Sequence, residues 1–379
     1  MTRCDYLNRM MHPFFVKRLI RTYRRQMRGF EAAHPESFGF VSDGLCRTYK
    51  RLWSKLVPNP YDGWLRLLTK LSGIEDYRFV PADAYYAVIE RCLNDCNVSG
   101  AGIDDKNLMS LYAPSEFLPH VVLRYVRGVF FDEGFKAITA SQADEVLKSY
   151  PGDVVGKVAA GSCGGHMVHL FKNGSDGMKR HGADVLTAAW ISANALTYIV
   201  QERIVQEPVV SSFNPSSVNT CRIVTFRRPW NGKTSVLCAM LRLGCGTEIV
   251  DNISSGGCCV DVALDGTLAE MGVTPDFGRI SEHSGSHKKF SGEMVPFFHE
   301  MCEVARRIAS RVPDCNIMGF DLVARLDGRP CVLEVNATSI ASVMIQMGHP
   351  LFGEETELLV EWCVKNMKFD RFQHLRTFY

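Results

Sequence analysis

Nowhere in these 379 residues is there an apolar run long enough to cross a membrane. The longest uncharged stretch, Val185 to Gln201, is broken by Thr187, Ser192, Asn194 and Thr197, and it reads as a buried amphipathic helix that runs on into a strand. Charge of one sign is also missing. The formal net charge is +2, so no general attraction to nucleic acid or anionic lipid follows. The fourteen cysteines show no metal-ligand spacing, with Cys258-Cys259 adjacent and Cys92 and Cys96 four apart. Met1 to Ser37 is too basic, and its apolar run too short, for a secretory signal, so reduced thiols in the cytoplasm are expected. There is no Walker Gly-Lys-Ser/Thr, no Ser/His/Asp or Cys/His set with convincing spacing, no internal repeat and no low-complexity tract.

What is present is an ordinary globular composition, 46% apolar and 22% charged, in a chain long enough for two or three domains. Residues 1–103 read as helical. In "FFVKRLIRTYRRQMRGF", Val16, Leu19, Ile20, Tyr23 and Met27 share one helical face, and Lys17, Arg18, Arg21, Arg24, Arg25 and Arg28 fall largely on the other. That basic face is either solvated or in contact with anionic lipid or a polyanionic substrate. A further helix begins near Pro81, with Asp83 in its first turn. From about Asp104 the pattern becomes mixed α/β. "HVVLRYVRGVFF" is strand-rich. "SQADEVLKSY" is a short helix with Ser141 as N-cap and Glu145 near the capping-box position. "DVVGKVAAGSCGGHMVHLF" reads as strand, Gly-rich loop, strand. Val185 to Leu196 is helical and leads into "TYIVQERI". Three β segments follow, and one long helix, Pro296 to Arg311, precedes a terminal hairpin.

That hairpin, "MGFDLVARLDGRPCVLEVNATS", carries the chemistry. Asp327-Gly328 is a strong turn signal between two apolar strands. Asp321, Glu334 and Asn336 then converge at one end. Burying carboxylates is costly unless something pairs with them. Two acids and an amide oxygen suit a hard cation such as Mg²⁺. Upstream, Lys157 ends a short strand just before Gly161, Gly164 and Gly165. A strand lysine beside exposed backbone N–H groups is one way to hold phosphate, and a surface hairpin is the plain alternative.

The order of these parts resembles the ATP-grasp superfamily: Lys106 in "DDKN", Lys157 with its Gly-rich loop, "VQERI", "VDNISSGG", then Asp321, Glu334 and Asn336. Details such as "NPSSVNTCRIVT" and "VDNISSGG" are similar to the sugar-transfer-associated branch. The resemblance implies an α/β (α+β) ATP-grasp fold. It has a helical N-terminal region over 1–103, an N-terminal and lid part over 104–200, and a C-terminal antiparallel, Mg²⁺-binding part over 201–379. Lys106 and Lys157 would contact ATP phosphates, and the Gly161–Gly165 loop would close as a lid. Gln201 would sit at the hinge, with backbone groups of Glu202 and Ile204 on the adenine edge and Glu207 on the ribose. Asp321, Glu334 and Asn336 would hold Mg²⁺, with Glu334 bridging two ions.

Arg222, Arg242 and Asn252 are read either as stabilising the γ-phosphate and a developing acyl phosphate or, for the arginines, as strand residues paired with carboxylates. His283, His287, Lys288 and Lys289 form a loop that either grips an anionic acceptor or is solvated. A zinc reading of its histidines lacks further ligands. His166 and His169 alternate with apolar residues on a lid strand, and His166, at the lid loop, either touches phosphate or is structural. The function implied is an ATP-dependent carboxylate–amine ligase working through an acyl phosphate, with a sugar acid or amino acid as carboxylate, in polysaccharide or cell-surface biosynthesis. A small-molecule kinase on the same fold is the alternative, and a non-catalytic nucleotide-binding module a third reading.

Overall fold

A computed structural model describes residues 3–94, 102–161, 167–174, 177–180, 184–251, 253, 256–338 and 340–366, the first eleven of them by backbone alone. Helices open the chain. α1 (Arg3–Ala33) buries Ile20 and Met27 and partly buries Val16, Leu19 and Tyr23, the face its periodicity predicts. α2 (Asp43–Trp53) is capped by Ser42, whose hydroxyl accepts from Leu45 N–H at 3.2 Å. α3 (Gly63–Ser72) ends at Gly73, which adopts φ +75°. The next helical stretch begins at Ala82, directly after Pro81, and its Asp83 is fully buried against Arg24 Nε at 2.7 Å.

Two seven-stranded antiparallel sheets follow. The first contains β1 (Val121–Val126), β2 (Val129–Phe131), β3 (Ala137–Ile138), β4 (Val154–Val158), β5 (His169–Lys172), β6 (Lys179–Arg180) and β7 (Thr197–Glu202), in the order β3-β2-β1-β7-β4-β5-β6. Its helices are α4 (Ala140–Ser149) and α5 (Ala188–Asn194). The capping box of α4 is Thr139 with Gln142, not Ser141 with Glu145. Thr139 lies a half-turn earlier, and its hydroxyl meets the N3 amide while Gln142 answers back. α5 is shorter than the sequence reading, because Thr187 caps it at Trp190 N–H and the chain turns extended at Ala195.

The second sheet contains β8 (Thr220–Arg227), β9 (Thr234–Leu243), β10 (Cys258–Val262), β11 (Leu268–Val273), β12 (Arg279–Ile280), β13 (Ile317–Ala324) and β14 (Pro330–Asn336), in the order β12-β11-β10-β9-β8-β13-β14. α6 (Phe298–Ala309) starts two residues later than the sequence reading, since Phe297 sits at φ +57° outside it. It packs Met301, Ala305 and Ile308 under one face, against Cys221, Ile223, Leu241 and Phe320. On the other face Val224, Met240 and Ile317 join Trp53, Tyr85 and Leu359, so the N-terminal helices and α7 (Thr356–Asn366) cover its far end. Both faces of β8 are therefore buried, and its period of two sends Thr220 and Arg222 to the face opposite α6. The near end of that face is left to a cleft.

Candidate functional site

β13 and β14 form the expected hairpin, with Gly328 at φ +83° in its turn and Gly328 N–H donating to Arg325 O at 3.0 Å. Its register pairs Asp321 with Glu334 and Gly319 with Asn336. Glu334 and Asn336, two apart, share the cleft face. Across the sheet, Arg222 stands opposite Asp321. Arg222 Nε donates to Asp321 Oδ1 at 2.7 Å and Nη2 to Oδ2 at 2.6 Å, while Arg242 Nη1 reaches Oδ2 at 3.0 Å. Burial pulls the Asp321 carboxyl upward, but the two guanidiniums outweigh it and hold it down at about 2. Arg242 also donates from Nη2 to Asp251 Oδ1 at 3.2 Å. Asp251 in turn accepts from the Thr220 amide at 3.0 Å and from the Thr220 hydroxyl. The result is one buried chain of alternating charge, Arg222–Asp321–Arg242–Asp251. Asp251 and Thr220 lie inside the quoted "VDNISSGG" and "NPSSVNTCRIVT" stretches, but neither was singled out as a site residue in the sequence.

The two expected lysines meet on the opposite wall. Lys106 sits in a short 3₁₀ turn, Lys106–Leu108, and its amide donates to Ala159 O at 2.9 Å, tying it to the end of β4. Its Nζ donates to Glu334 Oε1 at 2.9 Å. Lys157, on β4, donates to the Leu333 carbonyl at 3.3 Å. Burial, with help from neighbouring Lys106, lowers the Lys157 ammonium to about 8, against the pull of Glu334. Asp104, a further residue missed, locks the chain after β14 by accepting from Ala337 N–H at 2.7 Å and Thr338 Oγ1 at 2.6 Å.

Between these walls lies a cavity of about 850 Å³. Val155, Leu170, Ile204 and Leu333 give it an apolar part, and Lys106, Lys157, Arg222, Arg242, Asp321 and Glu334 a charged one. Gln201, Glu202 and Ile204 also line it. The Glu202 carboxylate is held by His120 N–H at 3.0 Å and Arg325 Nη1 at 2.7 Å. The strap beyond is fastened to the hairpin: Leu326 N–H donates to Val205 O and Glu207 N–H to Ala324 O, each at 2.9 Å. Glu207 does not line the cavity. Its carboxylate caps the short helix Pro208–Ser211 by accepting from Val209 N–H at 2.7 Å, so the expected ribose contact is not what the structure gives it.

Other expectations are placed elsewhere. Gly161 adopts φ +71° at the end of the β4 segment, while Gly164, Gly165, His166 and Asn252 lie outside the described residues. His283 is buried and pairs with Gly244 O at 2.8 Å, His287 pairs with Glu282, and Lys288 with Glu293. None of the four residues of that loop lines the cavity. His169 packs edge-on to Phe171 and Trp190.

Both Asp321 oxygens face guanidiniums, which neutralise it. Glu334 is part-exposed with one oxygen on Lys106, and the Asn336 amide nitrogen is buried with no hydrogen-bond partner among the described residues. Among the described residues no group of three or more His, Cys, Asp and Glu is close enough to hold a metal alone. This set fits Mg²⁺ that takes one carboxylate, one amide oxygen and the oxygens of a polyphosphate.

A family model described as sugar-transfer associated ATP-grasp matches residues 103–358. No curated protein matches the sequence. Solved structures similar to it include the ADP complex of purK, an N5-carboxyaminoimidazole ribonucleotide synthetase, at TM-score 0.37 and 14% identity over 65% of this chain and 50% of that one. The ATP-grasp ligase PsnB, complexed with a phosphomimetic precursor variant, Mg and ADP, gives 0.38 and 14% over 73% and 62%. The D-alanine-D-alanine ligase from Coxiella burnetii gives 0.38 and 11% over 70% and 59%. This chain thus spans between 50% and 62% of the length of those proteins.

Proposed function

The chain belongs to the sugar-transfer-associated ATP-grasp family, and on that premise we propose that it is an ATP-dependent carboxylate–amine ligase. The observation that carries the reading is Lys157. It is a buried ammonium whose hydrogen-bond partner among the described residues is a backbone carbonyl, set beside a second lysine in a cleft wall. A cation so placed is stabilised by an anionic ligand. In this reading the purine lies against Val155, Leu170, Ile204 and Leu333, with backbone of Glu202 and Ile204 at its edge beside Gln201. Lys106 and Lys157 hold the phosphates, and the glycines from Gly161 close over them. Glu334 and Asn336 hold Mg²⁺, with Asp321 as an added ligand only if an arginine turns away from it. Bound there, the ion would neutralise phosphate charge.

The substrate carboxylate attacks the γ-phosphorus, the bond to the β-phosphate oxygen breaks, and ADP and an acyl phosphate form. An amine then attacks the acyl carbon, phosphate leaves, and the amine loses its proton, giving an amide. No side-chain nucleophile is required; positioning and electrostatics suffice. Arg222 and Arg242, with Asn252 assigned beside them, offer N–H donors where the carboxylate oxygen meets the phosphoryl group. The family's link to sugar transfer supports a sugar acid or amino acid as carboxylate, in polysaccharide or cell-surface biosynthesis. The free thiols of the described cysteines support a cytoplasmic setting.

The test is ADP release with pooled carboxylic acids, with and without pooled amines, and with hydroxylamine present. ADP release dependent on an acid, with a hydroxamate formed, is the expected result. A new phosphomonoester without hydroxamate would instead establish the kinase alternative.

A further inference from the structure

Residues 14–33 hold six Lys and Arg against one acid, Glu31, a net +5 in a chain whose total is +2, so the remainder carries −3. At about 100° per residue, Phe14, Lys17, Arg18, Arg21, Arg25 and Arg28 fall within an arc of about 100° and run for about 21 Å along α1. All six are exposed, Phe14 by 69%. Ile20 and Met27, on the reverse side, are buried in the body of the protein. The helix is therefore fixed against rolling. Its flanking groups are turned inward: Arg24 is held by buried Asp83 at 2.7 Å, and Glu31 by Arg66 and the Tyr61 hydroxyl. The five cations of the stripe have no ion-pair partner among the described residues, although Arg28 also lies over the Tyr61 ring at 5.1 Å.

We propose that this α1 stripe docks the protein on an anionic lipid surface. The shape decides between a membrane and a linear polyanion. A chain-like polyanion is gripped best by a groove, whereas a straight, convex row on one helix meets a plane. An exposed aromatic in the same row suits the headgroup boundary, and juxtamembrane cations there each add attraction that salt screens. The apolar face is committed to the core, so docking is electrostatic and reversible, unlike an inserted amphipathic helix. No described helix is long and apolar enough to cross a membrane.

Sedimentation of the full chain with vesicles tests this, using phosphatidylcholine alone or with phosphatidylglycerol at about two parts in five. The expected result is binding to the anionic vesicles alone, lost in high salt. The triple variant R18E/R21E/R25E should bind at least about tenfold more weakly, and Phe14→Ser should show a smaller loss. The variants' thermal unfolding midpoints and Mg-ATP affinity should match the parent's, since none of the substituted side chains bonds Asp83 and none lines the cleft. The proposal is overturned if the parent ignores anionic vesicles at low salt, if the triple variant binds as well as the parent, or if a soluble polyanion such as heparin is bound and vesicles are not.

Discussion

Arg222 holds Asp321 by two parallel hydrogen bonds, at 2.7 and 2.6 Å, from the directly facing position on the neighbouring strand. This fork is the structural centre of the cleft's charge chain. Arg222→Lys keeps the charge but replaces the fork with a point donor. A loss of about 1–3 kcal/mol of stability in urea unfolding is expected, with kcat/KM for the carboxylate reduced and ATP affinity nearly intact. Calorimetry showing an equal loss of ATP affinity would assign Arg222 to the nucleotide instead.

Asp321 makes the fold sensitive to acid. Its carboxyl is held at about 2 against an ordinary 3.8, so its contribution is full above pH 4 and is lost as pH falls through 2. The amount is on the order of 2 kcal/mol. Urea midpoints measured from pH 5 down to pH 2 should fall more steeply for the parent than for Asp321→Asn.

Lys157 gives nucleotide binding a pH dependence of the opposite kind. Its ammonium titrates at about 8 in the free protein, and phosphate binding raises that value. ATP affinity is therefore level below pH 8 and declines as pH rises through it, by up to about tenfold per unit, with proton uptake on binding. Lys157→Ala should remove this slope and weaken ATP by about 1.5–3 kcal/mol at pH 7. Calorimetry in buffers of differing ionisation enthalpy reads both. A flat profile from pH 7 to 9.5 in the parent would contradict the assignment.

Glu334→Gln removes the carboxylate that faces both Lys106 and the cleft. Turnover should be abolished at any Mg²⁺ concentration, while metal-free ATP binding persists or tightens because a negative charge has gone. Folding should change modestly, since Glu334 is part-exposed. Near-normal ADP release at saturating Mg²⁺ would end the metal assignment.

Much of the fold was legible where short-range rules apply. Asp327-Gly328 fixed the hairpin, and the two-residue spacing of Glu334 and Asn336 put both on one face. What failed was local ambiguity and long-range pairing. Thr139 and Ser141 are both credible caps, and only Gln142 at N3 of the first decides between them. Glu207 precedes Pro208, an N-cap signal that was available and outweighed by the ribose expectation. The bond of Lys106 to Glu334 spans 228 residues, and the fork of Arg222 on Asp321 depends on β8 lying beside β13. Neither partner is encoded near the other. Asp251 stands in the "VDNISSGG" stretch, but its role as a bridge between Thr220 and Arg242 depends on two other strands that the stretch itself does not reveal.

The strap between the sheets has a mechanical consequence. Because Leu326 and Glu207 amides staple it to the hairpin turn, and Arg325 anchors Glu202, it cannot flex like the spine of a clamshell without breaking those bonds. Any opening of the cleft is then expected in the outer strands β5 and β6, the door of the cleft, which those bonds do not reach. Hydrogen exchange should find the Leu326 and Glu207 amides equally slow with and without nucleotide, and the change confined to the door.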